Sequence, residues 1–135
     1  MILSKINKTI LAISLLFLIQ CYQNPFFELT VEVIDQDSNP VSDLLIKIEI
    51  TDLDNGSLIE DSIIGNYFEE STNNEGKVSF SFENKALVTA RVCNEANGSL
   101  FCAEGHSYLE ENKKKELKLM LQSSEVEHTQ CAYCN

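Results

Sequence analysis

Tryptophan is absent, and only two histidines, His106 and His128, occur in 135 residues. General acid–base catalysis and stacking of sugar rings therefore have little material to work with. Gly-x-Ser-x-Gly, His-Glu-x-x-His and Gly-x-x-x-x-Gly-Lys are all missing, which excludes a nucleophile elbow, a zinc-protease helix and a phosphate cradle. Basic residues are scarce as well, with 10 Lys and Arg against 21 Asp and Glu, a net charge of −11. That balance excludes nucleic acid, whose phosphates demand a basic surface, and electrostatic adhesion to anionic lipid headgroups. A solvated acidic surface or an acidic patch for a basic partner or a cation remains. No apolar run reaches the roughly 20 residues of a transmembrane helix, and no stretch carries a convincing helical period. Internal repeats and a second domain are absent too.

What the chain does have begins at its start. Residues 11–21, LAISLLFLIQC, form a short apolar run that follows Lys5 and Lys8 and closes on a cysteine. A positive segment followed by a short apolar core is the pattern of an export signal. The run resembles a bacterial lipoprotein signal peptide, whose lipobox would be Leu18-Ile19-Gln20-Cys21. Gln20 stands where that family carries Gly, Ala or Ser. The resemblance implies cleavage before Cys21 and diacylglycerol on its sulfur, which anchors the chain to a membrane of the bacterial cell envelope. The parity of the cysteines agrees: five is odd for an exported chain, and lipid on Cys21 leaves four to pair. A plain secretory signal cut nearby and an uncleaved N-terminal anchor are the alternatives.

Removing residues 1–20 as a signal leaves 115 residues, enough for one core, and takes the charge to −13 because the two lysines are the leader's only charges. Residues 21–26 form a tether that spans only about 20 Å, so a lipidated Cys21 keeps the domain close to the membrane.

The domain proper is predicted over residues 27–121. Residues 27–34 (FELTVEVI) alternate, with Phe27, Leu29, Val31 and Val33 on one face. Residues 44–51 alternate again, with Leu44, Ile46, Ile48 and Ile50 inward. Residues 58–68 hold one or two weaker strands, and residues 69–76 read as a loop. Val78, Phe80 and Phe82 share a face in residues 77–83, as do Ala86, Val88, Ala90 and Val92 in residues 86–93. Residues 115–121 (KELKLML) make the last strand, Lys113–Lys115 lead into it as a solvated loop, and residues 122–135 are a polar tail. Short period-two strands with turn clusters between them predict an all-β Greek-key sandwich of about seven strands.

The run VEVIDQDSNPVSDLLIKIEI, then TNNEGKVSFSF and ALVTARV, resembles the transthyretin-like, carboxypeptidase-regulatory type of β-sandwich. Asp35, Pro40, Val41, Thr72, Gly76 and Phe80 occupy that pattern's places. The resemblance implies a seven-stranded sandwich without enzymatic activity.

Asn97-Gly98 signals a two-residue hairpin turn. It pairs Ala96 with Ser99, Glu95 with Leu100, Asn94 with Phe101, and Cys93 with Cys102. The last is a non-hydrogen-bonded pair, whose Cα atoms approach to about 4.5 Å, within disulfide range. A Cys93–Cys102 bridge is therefore expected, the alternative being that either cysteine reaches the tail. Cys131-x-x-Cys134 then admits three readings. It is a structural bridge, within the motif or to the body or a second chain; a redox pair; or a metal site with His128, and with His106 if the hairpin comes near.

Asp35-x-Asp37-x-Asn39-x-x-x-Asp43 starts like a calcium loop, but Pro40 and Ile46 stand where glycine and the bidentate glutamate belong; it reads better as a turn. Asp52 and Asp54 fail the same comparison. Asn55-Gly-Ser and Asn97-Gly-Ser are glycosylation acceptors only in a eukaryotic source.

The sequence thus describes a non-catalytic envelope lipoprotein that needs no cofactor. It binds a protein or other envelope ligand, or serves as a structural module, through loops 35–43 and 69–76 and the 94–101 hairpin tip. The competing reading is a thiol-redox or metal-handling protein using Cys131 and Cys134.

Overall fold

The computed structural model describes residues 23–51, 69–125 and 131–134. The leader with Cys21, the expected strands in 58–68, Asp52, Asp54, the Asn55 acceptor and His128 lie outside these residues. Among the described residues there is no α-helix, and the chain folds as two packed β-sheets. No helix there is long and apolar enough to cross a membrane.

Eight strands follow in order among the described residues: β1 Phe27–Ile34, β2 Leu45–Thr51, β3 Glu69–Ser71, β4 Lys77–Phe82, β5 Leu87–Ala96, β6 Ser99–Tyr108, β7 Lys113–Met120 and β8 Gln122–Ser123. The first sheet has the order β4-β1-β7 and the second β3-β2-β5-β6-β8. Antiparallel ladders join all neighbours except β1 and β7, which run parallel from Phe27↔Lys113 to Ile34↔Met120.

The alternation read from sequence decides the burial. Leu29, Val31 and Val33 of β1, Ile46 of β2, Val88 and Ala90 of β5 and Leu109 are completely buried, and Phe80 and Phe82 close over them from β4. Each such Val, Leu, Ile or Phe contributes about 1.5–3 kcal/mol by leaving water. Gly105 of β6 lies against Leu117 and Leu119 of β7, where the two layers meet. A Cβ there would stand 2.7 Å from Leu119 Cδ2 and 3.0 Å from Leu117 Cδ1 of β7, so a larger residue would require these leucine side chains to shift.

Three local expectations need correction. Lys113–Lys115 belong to β7 rather than to a loop, because the parallel partner β1 supplies hydrogen bonds and carboxylates: Lys114 Nζ lies 2.9 Å from Glu28 and Lys118 Nζ 3.2 Å from Glu32. Residues 69–71 form a short edge strand on β2, where Lys47 and Glu69 pair at 3.6 Å. The tail is not wholly free of the sandwich either. Gln122 and Ser123 pair with Cys102 and Phe101, and Ser124 donates to the Leu100 carbonyl.

Candidate functional site

Strand directions bring the three candidate loops to one end of the sandwich. The end of β1, the starts of β2, β4 and β6, and the ends of β5 and β7 all meet there. The N-terminal segment, by contrast, enters at the opposite end, where Asn112 of the β6–β7 turn donates its amide to the Phe26 carbonyl. Eight strand residues at roughly 3.3 Å each separate the two ends by about 26 Å.

Each loop is braced. Asp35 accepts the amides of Asp37 at 2.9 Å and Asn39 at 2.8 Å, and Asn39 Nδ2 donates to its second oxygen at 3.1 Å. The Asn39 amide, then its side chain, hold the Asp35 carboxyl below the usual carboxylate range. Both oxygens thus serve the turn itself, which is how the sequence pattern that starts like a calcium loop is used here. In the 69–76 loop, Asn73 accepts the amides of Glu75 and Lys77. Thr72, buried, donates to the Val41 carbonyl at 2.8 Å and accepts the Leu44 amide at 3.1 Å, so the two loops are tied to each other. Gly76, at φ +69°, fits between them; no side chain can replace its hydrogen, since a Cβ would stand 2.7 Å from the Val33 oxygen. The hairpin tip turns at Asn97 (φ 53°) and Gly98 (φ 79°), the two positive angles a type I′ turn requires.

Between the 35–43 loop and the hairpin lies a cleft of about 340 Å³. Val41, Ala96, Phe101 and Leu121 give it an apolar lining, and Asp35, Gln36, Asp37 and Asn94 a polar one. All of this lining except Leu121 falls within the two surfaces named from the sequence, 35–43 and 94–101; what the sequence did not show is that they face each other across one cleft. Leu121 read simply as a residue of the last strand, and only the sheet order shows that it reaches the open end of the core.

The cysteines gather beside this end, on the outer face of the second sheet. The hairpin register is as expected, with Cys93 opposite Cys102, but the expected bridge between them is not the one formed. Cys93 is bonded to Cys134 and Cys102 to Cys131, each with Cα atoms 5.7 Å apart. The reason is the tail: Ala132–Cys134 form a 3-10 turn, closed by the Cys134 amide on the Cys131 carbonyl, that lies on the sheet and offers each strand cysteine its own partner. Cys131 and Cys134 are accordingly not bonded to each other. The Sγ atoms of Cys102, Cys131 and Cys134 lie within 4.8 Å of one another. Disulfides of this kind persist in oxidising, extracytoplasmic compartments.

Next to the cysteines runs a polar ladder. Arg91 pairs with Glu49 across β2 and with Glu104 across β6, both at 2.5 Å, and the Tyr133 ring covers its guanidinium at 5.3 Å. Glu104, first, and Glu49 raise the Arg91 pKa; partial burial, and then the Glu104 charge, raise that of Tyr133. His106 faces Thr89, with Nδ1 2.8 Å from Oγ1, and Nε2 lies 3.7 Å from Glu104. Four residues of strand, about 13 Å, separate it from Cys102, so the hairpin does not bring His106 to the sulfurs. The hairpin register carried two rungs further already pairs Arg91 with Glu104; what sequence could not show is the tail lying across them.

No family model matches the chain, and no curated protein matches it.

Proposed function

We propose that the chain is a non-catalytic binding or structural module of the bacterial cell envelope, exported and lipid-anchored through Cys21, with its distal end as the working surface. The observation that carries this reading is the placement of the two ends. The tether side holds Phe26 and the β6–β7 turn, while the braced loops and the 340 Å³ cleft face away from it. A membrane anchor just before residue 23 therefore presents the cleft outward. The lipobox-like leader and the two disulfides support export, and the transthyretin-like strand pattern supports a sandwich without enzymatic chemistry. Rigid loops on a sandwich end suit recognition of a protein or other envelope ligand, since little ordering entropy is lost on contact.

The thiol-redox alternative has less support. A reactive Cys-x-x-Cys needs an accessible, pKa-lowered thiol, whereas Cys131 and Cys134 are each tied to a strand.

The test is expression of the full chain in a bacterial envelope. Mass spectrometry should find an N-terminal Cys21 bearing diacylglycerol in the membrane fraction, and Cys21→Ser should abolish the modification. A photo-crosslinking residue at Gln36 should capture an envelope component that the same residue at Glu111, on the tether end, does not. A soluble chain with its leader intact, or equal capture from both ends, overturns the proposal.

A further inference from the structure

We propose that the four sulfurs on the outer face of the second sheet are, once reduced, a binding site for one soft metal ion, Zn²⁺ or Cu⁺, with Cys93 and Cys102 as ligands alongside Cys131 and Cys134. This goes beyond the binding-module reading and does not depend on it.

The geometry comes from three independent placements. The hairpin register sets Cys93 and Cys102 side by side on one face. The 3-10 turn sets Cys131 and Cys134 side by side above them, in the Cys-x-x-Cys spacing with which metal knuckles are built. The Sγ atoms of Cys102, Cys131 and Cys134 already lie within 4.8 Å of one another, and Cys93 is joined to Cys134. A tetrahedral zinc with bonds of about 2.3 Å places its sulfurs about 3.8 Å apart. Reduction frees the two bonded pairs to open toward that spacing, the unbonded sulfurs among Cys102, Cys131 and Cys134 need close by at most about 1 Å, and Cys93, outside that close set, is the ligand that must swing furthest. Access exists at one of the four: a groove of about 220 Å³ lined by Leu45, Lys47, Glu49, Arg91, Cys93 and Tyr133 opens onto Cys93.

The chemistry balances. A dithiol reductant gives each disulfide two electrons and two protons, becoming a disulfide itself, and four cysteine thiols result. Binding Zn²⁺ then releases up to four protons as thiolates form. Oxidised, the same atoms staple the tail; reduced and loaded, they hold it through the ion. The site therefore keeps the tail on the sheet in both states.

The experiment uses the full chain in detergent, reduced with a dithiol and freed of excess reductant under argon, and titrated with Zn²⁺ and with Co²⁺. One ion per chain is expected, with the intense sulfur-to-cobalt charge-transfer and visible bands of tetrahedral thiolate cobalt, and no such bands for the oxidised chain. Cys93→Ser and Cys102→Ser should each weaken binding by more than about tenfold, while His128→Ala leaves it unchanged. Thiolate bands that persist in a Cys93→Ser, Cys102→Ser double variant overturn the proposal, as does a dependence on His128. Failure of the reduced chain to bind while its amide spectrum shows the sandwich intact overturns it too. So does a reduced chain that has lost the sandwich and is not refolded by Zn²⁺, because an ion at this point joins the same strands and tail that the disulfides join.

Discussion

Thr72 donates its hydroxyl to the carbonyl of Val41 at 2.8 Å, although 31 positions separate them in the chain. The same oxygen accepts the Leu44 amide, and the backbones add Thr72 to Leu44 and Asp43 to Thr72. Replacing Thr72 by Val keeps the shape and removes both side-chain bonds, leaving a buried amide and a carbonyl short of a partner. The expected cost is about 1–3 kcal/mol in chemical denaturation. Thr72→Ser, which keeps the hydroxyl, should lose clearly less, and equal losses for the two variants would show that packing rather than bonding holds the loops.

Gly76 and Gly98 both have positive φ but differ in surroundings. At Gly76 a Cβ meets the Val33 oxygen at 2.7 Å, the Val41 nitrogen at 2.9 Å and Pro40 Cβ at 3.0 Å; at Gly98 nothing lies within 4 Å. Alanine at Gly98 should cost only the left-handed penalty of about 1–2 kcal/mol. Alanine at Gly76 adds backbone collisions that no flexible side chain can relieve, and should destabilise the sandwich by more. Thermal unfolding of the two variants side by side checks the order.

That contrast also shows how far the sequence could be read. Alternation found the buried faces of β1, β2, β4 and β5 residue by residue, because period two maps directly onto a half-buried sheet. Asn97-Gly98 gave the hairpin register down to Cys93↔Cys102. The parallel pairing of β1 with β7, and with it the lysines of β7, was hidden, since partners some 86 residues apart leave no local trace. The disulfide connectivity was hidden for a related reason. Register shows which cysteines are near on a hairpin, not that a distant tail will lie between them and take both. The cleft lining was likewise set by which strands end together.

Glu110, in the β6–β7 turn, receives both Lys113 at the start of β7 and Lys115, whose Nζ lies 2.7 Å away. Their hydrogen bonds, Lys113 first, lower its carboxyl from 4.5 to about 2. A depressed folded value means that the ionised carboxylate favours the folded state above about pH 4.5, and that this contribution fades as pH falls toward 2. Because the group faces solvent, salt should screen much of the effect. Carboxyl resonances followed by NMR should show Glu110 titrating near 2, and returning toward the ordinary glutamate range in a Lys113→Met, Lys115→Met variant. A normal midpoint in the unaltered protein would contradict the pairing.

The two tail bridges close loops with separations of 41 and 29 residues. Chain entropy assigns the longer about 4 kcal/mol, and the two overlap, so their sum is smaller than twice that. Replacing Cys131 and Cys134 by Ser removes both but leaves Cys93 and Cys102 facing each other at a non-hydrogen-bonded rung, within bridging distance. The expected outcome under oxidising conditions is therefore a new Cys93–Cys102 bond, seen as a cross-linked peptide pair in non-reducing mass spectrometry. That bridge spans a short hairpin and restores only part of the lost stability, so unfolding should fall between the native protein and the variant lacking all four cysteines. Free thiols at Cys93 and Cys102 in the oxidised double variant would mean that the tail, and not the hairpin, brings these sulfurs to bonding distance.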